Sequence, residues 1–565
     1  MPLIILMASL TEITGNLGTD RAAHLLRRTT FGPTIAQINQ FAGYTATAAM
    51  NALFTEPAQN PAPPIDPLTT ATWVDPLGQK KAGESNSEQD DLFKFFQAWH
   101  LDVMLKSEPT LKERITWFFH THLPARWTEI RTSEAIYYQN CLYRHYAFGS
   151  FKELFTKICT DNAMLIYIDG YSNHKDNPNE NFAREMFELY SIGKGPQIEE
   201  GNYTNFTEDD VKAATRILTG WTDDDDFNYM DPDTALPIGK MSTTTGGDPV
   251  QDLATGHDTE VKTFSSIWND TSIQPAEIID NLATVESAYG ELDDLMDMIF
   301  DNAETARFIV RKMYRFFVYH FISDEVEQDV IVPLAQNFQT NDYSIPDMLK
   351  VLLKSQHFYD EDTPATTSDN NIGALIKSPV DVFTTLLRFF NVTTPDRGTD
   401  TSNFYTDFEF LVSKLVDQGL NFYEPFEVAG YPAYHQIPGY NRNWIMTYPL
   451  AHRYQTGDIL MKRGGNGSEI SIQMDVLDWA ENSGQVDPTS STDIVTVLTQ
   501  NLLAVQLNAE RFNYFLNTVF LDTLTQATWL SEWNKYVGGG DDLVVRERLE
   551  ILISSIIQTP EFQLI

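Results

Sequence analysis

Apolar residues recur along this chain at helical spacing and rarely alternate. Leu111, Ile115, Phe118, Phe119 and His122 share one face at about 100° per residue. The starts of such runs carry helix-opening chemistry. Thr110-Leu-Lys-Glu113 and Ser150-Phe-Lys-Glu153 read as capping boxes, in which a hydroxyl and a carboxylate satisfy free first-turn amides. Asn177-Pro178-Asn179-Glu180 places a capping Asn, a Pro at the first helical position and a Glu at the third, and Ser378-Pro379 opens another helix in the same way. Gly32, Gly43, Gly193 and Gly220 each follow an apolar run, where a left-handed residue closes a helix. The pattern predicts a mainly α protein.

Polar stretches rich in Pro, Asp, Thr, Gly and Asn interrupt the runs near residues 55–90, 223–290, 359–372, 391–407 and 462–495, and read as loop insertions. The expected architecture is one large, irregular helical domain over residues 1–565 with long loop insertions. A short echo runs through it. Leu352-Leu-Lys-Ser-Gln-His-Phe358 and Ile556-Ile-Gln-Thr-Pro-Glu-Phe562 each read as a helix end, a polar turn and a Phe. It suggests two related helical halves, about 1–360 and 361–565.

Composition narrows the partners. Of 565 residues 42% are apolar, enough for a sizeable core. Lys and Arg number 39 against 79 Asp and Glu, a net charge of −40. That field repels a phosphate backbone, so no nucleic acid is expected as partner. Anionic membrane surfaces are disfavoured for the same reason, and cations are favoured. No apolar run approaches the roughly 20 residues that cross a bilayer, so no transmembrane segment is expected. The opening MPLIILMASLTE has a short apolar run but no basic residues and no clear cleavage site, and no signal peptide is read there. Cys141 and Cys159 are too few for a disulfide scaffold, and the sequence leaves their pairing open.

Several short motifs occur in a fixed order. They are His24-Leu-Leu-Arg-Arg28 with Phe31-Gly-Pro33, Glu113-Arg114 with Trp117-Phe118 and His120-Thr-His122, and Asn179-Glu-Asn181 with Ala183-Arg-Glu185. Leu218-Thr-Gly-Trp221, His257-Asp258 with Lys262, Ser378-Pro379, Glu424-Pro425 with Val428-Ala-Gly430, and Thr559-Pro-Glu-Phe-Gln563 follow. As a set they resemble the bacterial family catalogued as domain of unknown function 1800, over nearly the whole chain. The resemblance implies a mainly helical fold and no settled activity. Members are often exported, and often occur beside proteins of the domain of unknown function 1501 family, which resemble sulfatases. It therefore favours an envelope or secreted location, with a cytoplasmic one as the alternative since no signal peptide is read, and a partner from that second family.

Candidate chemistry is scattered. Glu185 shares a helical face with Phe182, Met186 and Leu189, so it should be buried and then paired, protonated or metal-bound. Glu180, Arg184 and Glu188 read as an ion-pair ladder on another face. His120 and His122 are candidate metal ligands, yet two positions on a helix separate their rings by about 200° unless the helix ends near Pro124. His122 also reads as a hydrogen-bonded core histidine. His257 and Asp258, after Gly256, suit metal ligation or acid–base work. His24 reads as a satisfied group holding the first helix down. The acidic stretch from Asp223 to Asp233 offers oxygens to calcium or another divalent metal, with Asp224 and Asp226 foremost. It is not an EF-hand: Tyr229 and Ala235 stand where Gly and Glu belong, and a solvated acidic loop is the alternative.

Two further patterns point to binding. Tyr434, Tyr440 and Trp444 lie in an aromatic, Pro-rich stretch from Phe422 onward, which suits either a sugar-stacking platform or a packed lid. Arg307, Arg311 and Arg315 are four apart, a basic stripe that either pairs with local carboxylates such as Glu304 or holds a sulfate, phosphate or carboxylate. No P-loop, HExxH, GxSxG or GxGxxG is present, and no nucleophile is identified. Two readings result. One is a binding or scaffold protein of the envelope or exterior, with protein partners or polysaccharide. The other is a metal-dependent enzyme, a hydrolase of acidic or sulfated glycans, with Glu185, His122 and His257 converging as catalytic residues.

Overall fold

At the centre lies a helix with no exposed face. Every residue of Lys112–His122 is buried, so each polar group on it needs an internal partner. Glu113 receives both arms of Arg144 at 2.7 and 2.8 Å. Arg114 binds Asp381 at 2.6 Å, and Lys112 pairs with Glu56. Thr116 and Thr121 donate back to the helix carbonyls of Lys112 and Phe118. The Thr110–Glu113 capping box therefore does not close: Thr110 accepts from the Lys112 amide, while Arg144 claims Glu113. A bidentate guanidinium in the interior outweighs one amide, and the Thr110 amide donates to Glu108 O at 2.7 Å instead.

The computed structural model describes residues 9–74, 86–243, 252–362, 374–461 and 470–565. The fold is mainly α, and its strands form only small antiparallel sheets of two or three. The central helix packs against Ser133–Tyr146 and Ala303–Phe317. Asn86–Lys106 packs against Thr401–Asp417 and Pro379–Phe389. One buried apolar cluster runs from Ile13 to Phe562. Cys141 and Cys159 are both free thiols.

Local punctuation follows the sequence closely, with three corrections. Ser150 and Ser378 cap their helices, but only Ser378 forms a full box, with Asp381; at Ser150 the hydroxyl accepts the Glu153 amide and the return bond is not made. Gly32, Gly193 and Gly220 are left-handed, whereas Gly43 has an ordinary φ of −81°. The helix expected from Asn177 begins only at Asn181, with the Asn179 side chain accepting the Asn181 amide. It then widens into a π-helix over Met186–Ser191, which changes the angular phase of every later side chain.

The echo is also real at atomic level. Ser355 donates to Leu352 O and accepts the Phe358 amide, and Thr559 does the same between Ile556 and Phe562. Both Phe rings are buried, and their carbonyls accept from His24 and Lys377 respectively.

Candidate functional site

Where the central helix stops, the chain from Phe422 to Trp444 folds over its end. The His120 ring lies 3.9 Å from that of Tyr423, and its Nε2 shares a hydrogen bond with the Tyr431 hydroxyl at 2.9 Å. Gly430 has φ +101°, and a Cβ there would stand 2.9 Å from Thr121 O, so only glycine allows this approach. Trp444 and Tyr431 are buried. The aromatic stretch is therefore a packed lid and not an exposed stacking platform, although its inner face serves a second purpose.

That inner face closes a cavity of about 50 Å³, room for a few waters or one small oxyanion. Tyr434, Tyr440 and Trp444 form its lid-side wall. Phe118 and His122 come from the central helix, and Lys312 and Arg315 from Ala303–Phe317. His320 and His435 complete the rim.

The electrostatics of this cavity oppose those of the chain. Asp381 is the one side-chain carboxylate among its described lining residues, and Arg114 occupies it. Among the described residues Arg315 donates only to the His320 carbonyl, at 3.3 Å, and lies over the Tyr440 ring. Lys312 lies over Phe308. Neither has a carboxylate partner among the described residues. Burial, then the nearby Arg315, pushes the Lys312 ammonium down to about 8. Burial likewise lowers Arg315. Burial holds His122 near 3, with Lys312 adding to the effect, so its ring is neutral. Burial also lowers His320 and His435, the latter despite Glu427 at 3.3 Å.

The proposed basic stripe divides. Arg311 is saturated by Glu304 and Glu327, each at 2.6 Å, and Arg307 leans on Glu304. Arg315 alone of the three reaches the cavity. The residue missed in the sequence is Lys312, together with His320 and His435. A signal for Lys312 existed: Phe308, Lys312 and Arg315 stand at helical i, i+4, i+7 spacing, so one cation shares a face with an apolar ring and another cation.

The remaining candidates lie elsewhere, each with its own surroundings. Both ring nitrogens of His257 face acceptors, Thr219 O at 2.9 Å and Glu291 at 2.6 Å, and buried Lys262 holds the other Glu291 oxygen at 2.6 Å. Gly220 (φ +86°) permits this contact, since a Cβ there would meet the His257 amide at 2.8 Å. Asp258 is bound by Arg216 at 2.8 Å. Asp224 accepts the Asn228 and Tyr229 amides and pairs with Lys240 at 2.6 Å. Asp231 and Asp233 share Lys157, whereas Asp226 is exposed. These ammonium groups occupy oxygens that a calcium ion would need.

Glu185 differs from expectation. It is half-buried and has no hydrogen bond or ion pair among the described residues. Burial, reinforced by Glu188, raises its carboxyl to about 7. The ladder also breaks: Arg184 holds Glu180 and Glu208, while Glu188 turns to Lys194. The π-turn that starts at Met186 is the reason. Among the described residues no three His, Cys, Asp or Glu side chains are grouped as metal ligands must be. Glu185, His122 and His257 thus do not form a metal set, and neither do His120, Asp258, Asp224 and Asp226.

A family model described as "Protein of unknown function (DUF1800)" matches residues 24–564. No curated protein and no solved structure gives a significant match. No described helix is long and apolar enough to cross a membrane.

Proposed function

The chain belongs to the DUF1800 family, and we propose that it acts as a binding protein whose ligand presents a small anionic group to the cavity behind the Phe422–Trp444 lid. One observation carries this reading. In a chain of net charge −40, Lys312 and Arg315 face one small cavity whose described side-chain carboxylate, Asp381, is already taken by Arg114. Keeping two cations half-buried and unpaired costs stability. A bound anion offsets that cost through charge-assisted hydrogen bonds. The cavity has room for the anionic group alone, so the ligand is one that ends in such a group, an acidic saccharide end among the candidates. An envelope or secreted location and a partner of the domain of unknown function 1501 family rest on family resemblance and belong to the same proposal.

The test is ligand-dependent stabilisation. Thermal melts are run at fixed ionic strength in chloride, phosphate, sulfate, acetate and glucuronate. At least one oxyanion should raise the wild-type melting temperature and leave a Lys312→Gln/Arg315→Gln protein unchanged. Superimposable wild-type melts in all five would refute the reading.

A further inference from the structure

His122, one of the residues lining the cavity, carries an unpartnered hydrogen-bond acceptor, and this bears on which anion the cavity takes. His122 Nε2 lies 3.0 Å from the carbonyl oxygen of Tyr190. A carbonyl only accepts, so Nε2 carries the ring hydrogen and Nδ1 is left with a lone pair. That Nδ1 is buried and has no hydrogen-bond partner among the described residues. The ring is only 5% exposed, and it lines the cavity that Lys312 and Arg315 charge. A buried acceptor without a donor is costly and calls for an occupant that supplies one.

We infer that the occupant is an oxyanion bearing its own O–H, a phosphate or phosphomonoester and not a sulfate, with His122 Nδ1 accepting that hydrogen while Lys312 and Arg315 hold the bare oxygens. Inorganic phosphate keeps at least one O–H at neutral pH, and a monoester keeps one up to its second ionisation near 6. Sulfate has none, and would set a bare oxygen against the imidazole lone pair. Specificity of this kind comes from the mismatch imposed on the wrong ligand. The low proton affinity that burial gives His122 agrees with an acceptor that stays neutral beside two cations.

This inference rests on the anion-binding reading, and its test separates the two. Calorimetric titrations at pH 6 compare inorganic phosphate, glucose 6-phosphate and sulfate on the full chain. Phosphate or its ester should bind roughly tenfold or more tighter than sulfate, the size expected for one stranded buried acceptor. The tighter of the two phosphates tells a free ion from a monoester. His122→Gln, which keeps a donor for Tyr190 O and an acceptor for the ligand, should retain the preference, and His122→Phe should abolish it. If the Phe variant does not fold, wild type supplies an independent arm: arsenate, with O–H, should follow phosphate, and selenate, without, should follow sulfate. Equal binding of phosphate and sulfate, or a preference that survives in His122→Phe, overturns the inference and leaves the cavity an anion site. Binding of none of these ions overturns both.

Discussion

Arg114 and Asp381, 267 positions apart in the chain, meet at 2.6 Å, both almost wholly buried. Asp381 also accepts the amide and hydroxyl of Ser378, so one carboxylate neutralises the central helix and caps the next one. Asp381→Ala strands a buried guanidinium and uncaps a helix, and should cost about 3–5 kcal/mol in urea unfolding. Glu180→Ala, at a half-exposed pair with Arg184, should cost under about 1 kcal/mol. Similar losses at the two sites would contradict this account of the core.

Lys312 gives a pH signature. Its folded value near 8 lies below 10.5, so between these values the unfolded chain binds more protons and stability rises with pH; below pH 8 the cost of the charge is fully felt. Lys312→Met should therefore be more stable than wild type by roughly 1–3 kcal/mol at pH 7, with the gap closing toward pH 10.5. Denaturant melts across that range check it, and a wild type the more stable at pH 7 would count against an unpaired cation.

Glu185 shows the opposite chemistry with the same logic. Its carboxyl rises from 4.5 to about 7, so the folded chain binds the extra proton in that window. Stability from this group is complete below 4.5 and is lost as pH rises through 7. Glu185→Gln should flatten the profile there and gain on the order of 1 kcal/mol at pH 8, after allowance for solvent screening. An unchanged profile would mean that the carboxylate is better solvated than its position indicates.

The lid can be tested by truncation. Trp444 is buried whereas Phe426, in the same stretch, is 78% exposed. Trp444→Ala should cost about 3–5 kcal/mol, and Phe426→Ala should stay within about 0.5 kcal/mol. Comparable small effects at both would return the aromatic stretch to an exposed platform.

Helix content, most caps and the echoed turns were legible in the sequence because they depend on neighbours three or four residues away. Ser378 with Asp381 is such a case. The Thr110–Glu113 box failed because its carboxylate answers to Arg144, which local pattern does not reveal. The Glu180–Arg184–Glu188 ladder failed because a π-turn shifts the phase beyond Met186 and sends Glu188 to Lys194, and no residue type announces such a turn. Four of the binding candidates, Arg315, Tyr434, Tyr440 and Trp444, converge on one cavity, but from separate stretches that sequence could only treat apart. Arg311 left the set because Glu327, sixteen positions on, captured it.

The charge contrast between cavity and exterior has a kinetic consequence. An approaching anion first climbs the potential of a chain carrying −40 and meets Lys312 and Arg315 only at the end. Added salt thins the outer barrier, as the Debye length falls from about 10 Å at 0.1 M to about 3 Å at 1 M, whereas the buried contacts are screened much less. Association should thus speed up with salt, the reverse of ordinary electrostatic steering. Densely charged polymers meet the outer repulsion on every unit and a lone terminal charge meets it once, so, on the proposed anion-binding reading, the acidic exterior should sort anions by valence before the cavity sorts them by chemistry.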